Sequence, residues 1–268
     1  ATVLAVNTRF RSKEVADIVS RGKADWLVMW PDFKGIAFAD ILADVDDEVM
    51  RRLQGIITLG DTQSSATLAI AARGQAVHSF EHLRNTVCEV PAPHGNAGVL
   101  CFTTSGTTSL PKFVLHDHLS LLRHGDAMKL AYGYDHTSRI FASAPFCGAF
   151  GFCTLLGGLV TGSTTVCEPV TDTNSTLEQI RRHQVSHTYA NNESILKILE
   201  AADSPKDFES CKLFGFANFS PAITSLLEQA QRNGLPLTGL YGSSELQALV
   251  AAQPTHESEG DLSVRYLA

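Results

Sequence analysis

Two uninterrupted apolar runs, Trp26–Trp30 (WLVMW) and Gly55–Gly60 (GIITLG), flank a stretch of helical periodicity near Asp46–Gln54. Neither run alternates between apolar and polar residues, as a strand with one wet face would. They predict parallel strands buried on both faces and joined through helices, a β-α-β rhythm. Ser12 is placed to cap a helix with Val15, Ile18 and Val19 on one face, and Gly22 stands where that helix would stop.

The same alternation returns further on. A helix is expected over His118–Tyr132, a strand near Ile140–Ala144, a glycine-spaced buried helix, and a strand over Ser163–Glu168. Asn174 or Ser175 would cap a helix running to His183, ahead of the strand Ser186–Ala190, a helix over Asn191–Ala202 and the strand Cys211–Phe216. Ser220 and Pro221 supply cap and first helical position for a helix reaching Asn233, followed by the strand Leu235–Leu240. The class is α/β: stacked βαβ subdomains with mostly parallel sheets flanked by helices. Pro and Gly in Val90–Gly98 break the periodicity, which divides the chain into a first subdomain over 1–98 and a second over 99–268. The chain opens inside an apparent strand (ATVLAV) and closes on LSVRYLA without a terminating element, so it reads as a piece of something longer.

Composition removes several classes of function. With 44% hydrophobic and 18% charged residues over 268 positions the chain is globular. A net charge of −7, from 21 basic and 28 acidic residues, gives no field that would gather a polyanion, so nucleic acid is excluded as a partner. Ile140–Cys167 lacks any charged residue, yet Pro145 and its glycines break it into strand, loop and buried helix, so no membrane span is expected. The N-terminus does not resemble a signal peptide, because RFRSKE follows only a short apolar start. Six cysteines without a Cys-x-x-Cys pair predict reduced, buried thiols in a cytoplasmic protein.

The pairs His78/His82 and His183/His187 have metal-ligand spacing, but no third ligand or His-Glu-x-x-His motif accompanies them, and they read as amphipathic surface histidines. His116 and His118, flanking Asp117, would help start the helix that follows.

The densest candidate for chemistry is CFTTSGTTSLPKFVLH, Cys101–His116, in which Thr103–Ser109 contains only Thr, Ser and Gly. Three readings fit such a loop: a solvated hairpin turn, a low-complexity linker, or a cradle whose amides and hydroxyls wrap an anion, with Lys112 reaching outer phosphates. The flanks VLCF and FVLH look like paired strands that would hold the ends together. It is not a Walker loop, since Leu-Pro rather than Gly precedes the lysine, and no Walker-type second motif supports a kinase-like protein. A second segment, LYGSSE (Leu240–Glu245), follows an expected strand; it lacks the second glycine of a serine-hydrolase elbow.

TTSGTTSLPK resembles the phosphate-loop signature of the adenylate-forming superfamily of acyl-CoA synthetases, adenylation domains and luciferases, and LYGSSE resembles that family's Tyr-Gly-x-Thr-Glu segment. VNTRFRSKEVADIV, APFCGAFGF and LFGFANFSP are similar to three further family stretches, respectively an Asn-Thr-Arg segment, an acyl-pocket segment and an adenine-contacting turn. The departures are Ser109 and Phe113 where glycines are usual, Gly148 in place of a histidine, and Ala217, Asn218 and Phe219 in place of a glycine-rich turn.

The resemblance implies fold and activity together: the N-terminal core of an enzyme that joins a carboxylic acid to ATP as acyl-adenylate, then passes the acyl group to a thiol of CoA or of a carrier protein's phosphopantetheine. It places Thr104, Ser105, Gly106, Thr107, Thr108 and Lys112 on the phosphates, Thr107, Lys112 and Glu245 in catalysis, and Glu245 on Mg2+. Ala217, Asn218, Phe219, Tyr241, Gly242, Ser243 and Ser244 fall to the nucleotide, and Phe146, Gly148, Phe150 and Gly151 to the acid, with Phe152 adding apolar lining. No acidic residue occurs over Ser138–Val166 to pair an ammonium, which favours an acyl or aryl acid over an α-amino acid. The isolated 268 residues are expected to bind nucleotide weakly or not at all and to turn over nothing. The competing expectation is a degenerate, non-catalytic member of the fold that binds or scaffolds.

Overall fold

The computed structural model describes residues 1–60, 63–92, 94–104, 111–168, 172–217 and 223–252. It divides into two compact units, Ala1–Leu115 and His116–Ala268.

The first unit contains β1 (Val3–Ala5), α1 (Ser12–Arg21), β2 (Trp26–Met29), α2 (Phe38–Ala43), α3 (Asp47–Met50), β3 (Gly55–Thr58), α4 (Ser65–Ala72), β4 (Val77–Ser79), α5 (Phe80–Arg84), β5 (Gly98–Thr104) and β6 (Lys112–Asp117), whose last two residues belong to the second unit. One sheet has the order β2-β3-β4, all parallel; the other has the order β1-β5-β6, with β1 parallel to β5. Val15, Val19, Leu42, Met50, Ile56 and Ile70 form its core. The apolar periodicity of α1 is as expected, but Ser12 is its first turn rather than its cap: Arg11 is the cap residue, and its amide donates to Glu14 Oε2 at 3.0 Å. The expectation of double-sided burial holds for β3 and fails for β2. Trp26 and Val28 are 43% and 55% exposed, because β2 is an edge strand and only its Leu27 and Met29 face meets the core.

The second unit contains α6 (His118–Tyr132), β7 (Arg139–Ala142), α7 (Ala149–Thr161), β8 (Thr164–Cys167), α8 (Thr173–His183), β9 (His187–Asn191), α9 (Asn192–Ala201), β10 (Leu213–Ala217), α10 (Ile223–Arg232), β11 (Leu237–Tyr241) and β12 (Ala251–Ala252). Its sheet runs β8-β7-β9-β10-β11-β12, parallel throughout except for β12 against β11. One face meets α8, α9 and α10 through Phe141, Ile180, Ile195, Phe214, Phe216 and Leu226. Toward α6 and α7 the layer is aromatic and partly polar: Tyr132, Tyr134, His187, Tyr189 and Phe150 meet edge to face or tilted.

Local capping explains where the helices start. Asp117 accepts from the Ser120 amide at 2.6 Å and opens α6. Asp172, not Asn174 or Ser175, caps α8 by accepting from the Ser175 amide at 2.9 Å, so that helix begins before the expected position. The cap expected at Ser220 and Pro221 lies outside the described residues. The charge-free stretch forms β7, α7 and β8, and no helix among the described residues is long and apolar enough to cross a membrane.

Two expectations about reactive side chains need correction. Cys101, Cys153 and Cys211 are buried, but Cys88 and Cys167 are exposed and Cys147 is half-buried. His187 is no surface residue: it is 1% exposed, with Nδ1 paired to Ser186 Oγ at 2.8 Å and Nε2 to the Tyr132 carbonyl at 3.0 Å. The two histidine pairs also divide between elements, His78 on β4 with His82 on α5, and His183 on α8 with His187 on β9.

Candidate nucleotide and acid site

Because β7, β9, β10 and β11 are parallel, their carboxyl ends share one edge of the sheet. The strand order reverses between β7 and β9: β8 lies outside β7, whereas β9 to β11 extend on its other side. At such a reversal the connecting helices leave on opposite faces and a crevice opens beyond the carboxyl ends. The segments singled out by sequence follow these ends, with Ser143–Gly151 after β7, Ala217 at the end of β10 and Tyr241–Glu245 at the end of β11. The Ser143 hydroxyl, bonded to the Tyr189 carbonyl, ties β7 to β9 at the reversal itself.

In Ser143–Gly151, Phe146 is 37% exposed, and Phe150 meets the Tyr189 ring edge-on at 5.9 Å. Gly148 is the N-cap residue of α7. Gly151 is required by close approach: a Cβ there would lie 2.3 Å from the Pro145 carbonyl oxygen and 2.5 Å from that of Ala144. The helix can therefore descend onto the β7 exit only with a bare backbone at this position.

In the first unit, Thr104 ends β5 and Lys112 begins β6, neighbouring strands that hold the two ends of the serine- and threonine-rich loop. Ser105, Gly106, Thr107 and Thr108 lie outside the described residues, as do Asn218 and Phe219. Lys112 is exposed. Its neighbours are fixed by a residue the sequence reading missed: the Arg21 guanidinium donates to the Pro111 carbonyl at 2.5 Å, pairs with Asp17 at 2.6 Å and lies 4.4 Å over the Phe113 ring. Phe113, a departure from the resemblance, thus has a cation to stack on.

The segment Tyr241–Val250 forms a tight loop with two distinct sides. Tyr241 and Leu246 are 66% and 55% exposed, and Glu245 is exposed with them, whereas Gln247, Ala248 and Leu249 are buried. Those three buried residues have φ of 66°, 52° and 44°, a left-handed run without a glycine. Each such residue costs about 1–2 kcal/mol, so the surroundings must hold the run in place. The loop closes on itself through Ala248 N to Ser243 O (2.7 Å) and Val250 N to Tyr241 O (2.9 Å). Gly242 makes the closure possible, since a Cβ would fall 2.6 Å from the Ala248 main chain. From outside, Tyr132 Oη donates to the Leu249 carbonyl at 2.8 Å, His116 Nε2 donates to that of Ser244 at 2.9 Å, and the Cys153 thiol donates to that of Gln247. Burial keeps the Tyr132 phenol and the Cys153 thiol protonated, the latter pushed up to about 12, so both remain donors.

Among the described residues no group of three or more His, Cys, Asp or Glu comes together as a metal cage. An exposed carboxylate such as that of Glu245 suits Mg2+ held mainly by nucleotide phosphates, the usual mode for that ion.

In the second unit, parallel strands with Ser143–Gly151, Ala217 and Tyr241–Glu245 at one carboxyl edge define a doubly wound α/β architecture. The chain belongs to the AMP-binding enzyme family, whose model matches residues 1–264. It is 32% identical over 177 residues to D-lysergyl-peptide-synthetase subunit 2 of Claviceps purpurea, covering 66% of this chain and 13% of that protein. It is 25% identical over 176 residues to the 2-succinylbenzoate–CoA ligase of Bacillus licheniformis, covering 64% of this chain and 36% of that one. Among solved structures, the anthranilate CoA ligase AuaEII in complex with anthranoyl-AMP superposes with a TM-score of 0.77 at 20% identity, covering 97% of this chain and 48% of that one. The chain therefore spans well under two thirds of the length of these relatives.

Proposed function

We propose that this chain carries the nucleotide- and acid-binding core of an AMP-forming ligase that activates a carboxylic acid. The observation that carries the reading is the shared carboxyl edge, along which Ser143–Gly151, Ala217 and Tyr241–Glu245 follow β7, β10 and β11, with the strand-order reversal between β7 and β9. Family membership over residues 1–264 supports it.

The substrate carboxylate would attack the α-phosphorus of ATP; a P–O bond forms to the acid as the bond to pyrophosphate breaks, giving acyl-adenylate. This chain's share is positioning and charge neutralisation. Lys112, with Thr104, Ser105, Gly106, Thr107 and Thr108, would take the charge on the departing pyrophosphate, Ser244 the α-phosphate, and Tyr241 with Gly242, Ser243, Ala217, Asn218 and Phe219 the nucleoside. Glu245 would hold Mg2+, which when bound neutralises phosphate charge. Phe146, Gly148, Phe150 and Gly151 would bound the acid, and the lack of a carboxylate over Ser138–Val166 supports an acyl or aryl acid over an α-amino acid. The acyl group would then pass to a thiol of CoA or of a carrier protein, in the cytoplasm. The relatives' greater length supports the further proposal that turnover needs residues beyond these 268.

Acid-dependent ATP/pyrophosphate exchange across fatty, aryl and amino acids tests this on the full-length protein and on the 268-residue chain. Exchange is expected in the full-length protein alone, with Lys112→Ala and Glu245→Ala each reducing it by about a hundredfold or more, the scale on which preorganised charge stabilisation acts. Silence with every acid would replace this reading with that of a non-catalytic binding module.

A further inference from the structure

We infer that Tyr132 and His116 are positioning residues that hold the left-handed turn Gln247–Leu249 and so set where Tyr241 and Glu245 project. The inference rests on the adenylation reading for the roles of Tyr241 and Glu245; the brace itself stands on geometry. Three consecutive left-handed residues, none of them glycine, are a conformation the local sequence does not favour, and such outliers persist only where surrounding contacts over-determine them. Here the contacts come from distant elements. Tyr132, the last residue of α6, donates to Leu249 O at 2.8 Å, and His116, near the end of β6, donates to Ser244 O at 2.9 Å. These two bonds bracket the buried turn from either side, and both end on main-chain oxygens, so they restrain backbone path rather than a particular side chain.

Tyr132 is itself held. Its ring lies 5.8 Å from that of Tyr134 and 6.1 Å from that of Tyr189, and its own carbonyl accepts from His187 Nε2 at 3.0 Å. A continuous line of contacts thus runs from β9 through the end of α6 to Leu249. The loop it reaches has its anchors buried and its proposed working residues exposed, with Gly242 leaving room for the turn to fold back. Loss of an anchor would let the turn relax toward ordinary φ values and swing Tyr241 and Glu245 without touching either.

The test uses the full-length protein with Tyr132→Phe, which keeps the ring and removes the donor. Amide hydrogen exchange over 242–250 should quicken, and the Mg2+ midpoint of pyrophosphate exchange should rise, each by about five- to tenfold, the equilibrium equivalent of one lost hydrogen bond. The KM for the acid should stay unchanged. Adding Ala248→Gly, which accepts a left-handed φ freely, should recover much of the Mg2+ midpoint. Ile198→Val, in the core on the opposite face of the sheet, serves as a control that lowers stability without moving that midpoint. Unchanged exchange over 242–250 in Tyr132→Phe, or an equal Mg2+ shift in the Ile198→Val control, overturns the inference while leaving the function intact. A full-length protein that adenylates nothing overturns the functional reading and the role assigned to the brace together.

Discussion

At Gly151 one hydrogen atom decides how closely a helix can meet a strand exit. A Cβ at this position would press on the carbonyl oxygens of Pro145 and Ala144, both main-chain atoms that cannot rotate away. Gly151→Ala should destabilise the protein by about 1–3 kcal/mol through overpacking, read as a lower urea midpoint. On the proposed function it should also raise the KM for the acid, because Phe146 and Phe150 flank the displaced segment. A variant as stable as the wild type would show that the β7 exit can shift to admit a methyl group. Arg21 teaches a related lesson about what a sequence discloses. Its bonds to Pro111 and its stacking over Phe113 come from a helix about ninety residues upstream, and no local pattern announces them.

At the scale of elements, the apolar periodicity of α1 and the β-α-β alternation were legible because each depends on neighbours in sequence, whereas the caps of α1 and α8 fall on Arg11 and Asp172 rather than on Ser12 and on Asn174 or Ser175. The burial of β2 was not, since edge position depends on strand order rather than on the strand's own residues. The turn Gln247–Leu249 was equally hidden: those side chains carry no left-handed preference, and the restraints lie on α6, β6 and α7. His187 shows the same gap, since spacing suggested a surface residue while the fold uses it to join β9 to the end of α6. Burial depresses its pKa from 6.5 to about 4, partly offset by the Tyr132 carbonyl. Between those two values the unfolded chain takes a proton that the folded one refuses, so stability is full above about pH 6.5 and declines on acidification toward about pH 4. The decline should approach about 1.4 kcal/mol per pH unit for this one group. Urea midpoints measured across that range should fall with pH, and His187→Gln should flatten the trend; an unflattened trend would assign it to other groups.

For the whole molecule, the family-like motifs made the class legible, because motif order along a chain survives without knowledge of its path in space. The gathering of Ser143–Gly151, Ala217 and Tyr241–Glu245 along one edge of the second unit's sheet was not legible: it requires knowing that β8 lies outside β7 and that β9 crosses to the other side. The same layering sorts the six cysteines by access. Cys153 and Cys211 are screened from solvent and their thiols are pushed up to about 12, whereas Cys88 and Cys167 lie open. A native sample treated with an alkylating reagent should therefore modify Cys88 and Cys167 first, and Cys153 and Cys211 only as fast as the fold opens, which mass spectrometry of timed quenches would resolve. Early modification of Cys153 would contradict the burial of α7 against the sheet. The protein thus carries a built-in clock for its own opening, readable at the sulfur atoms without any added probe.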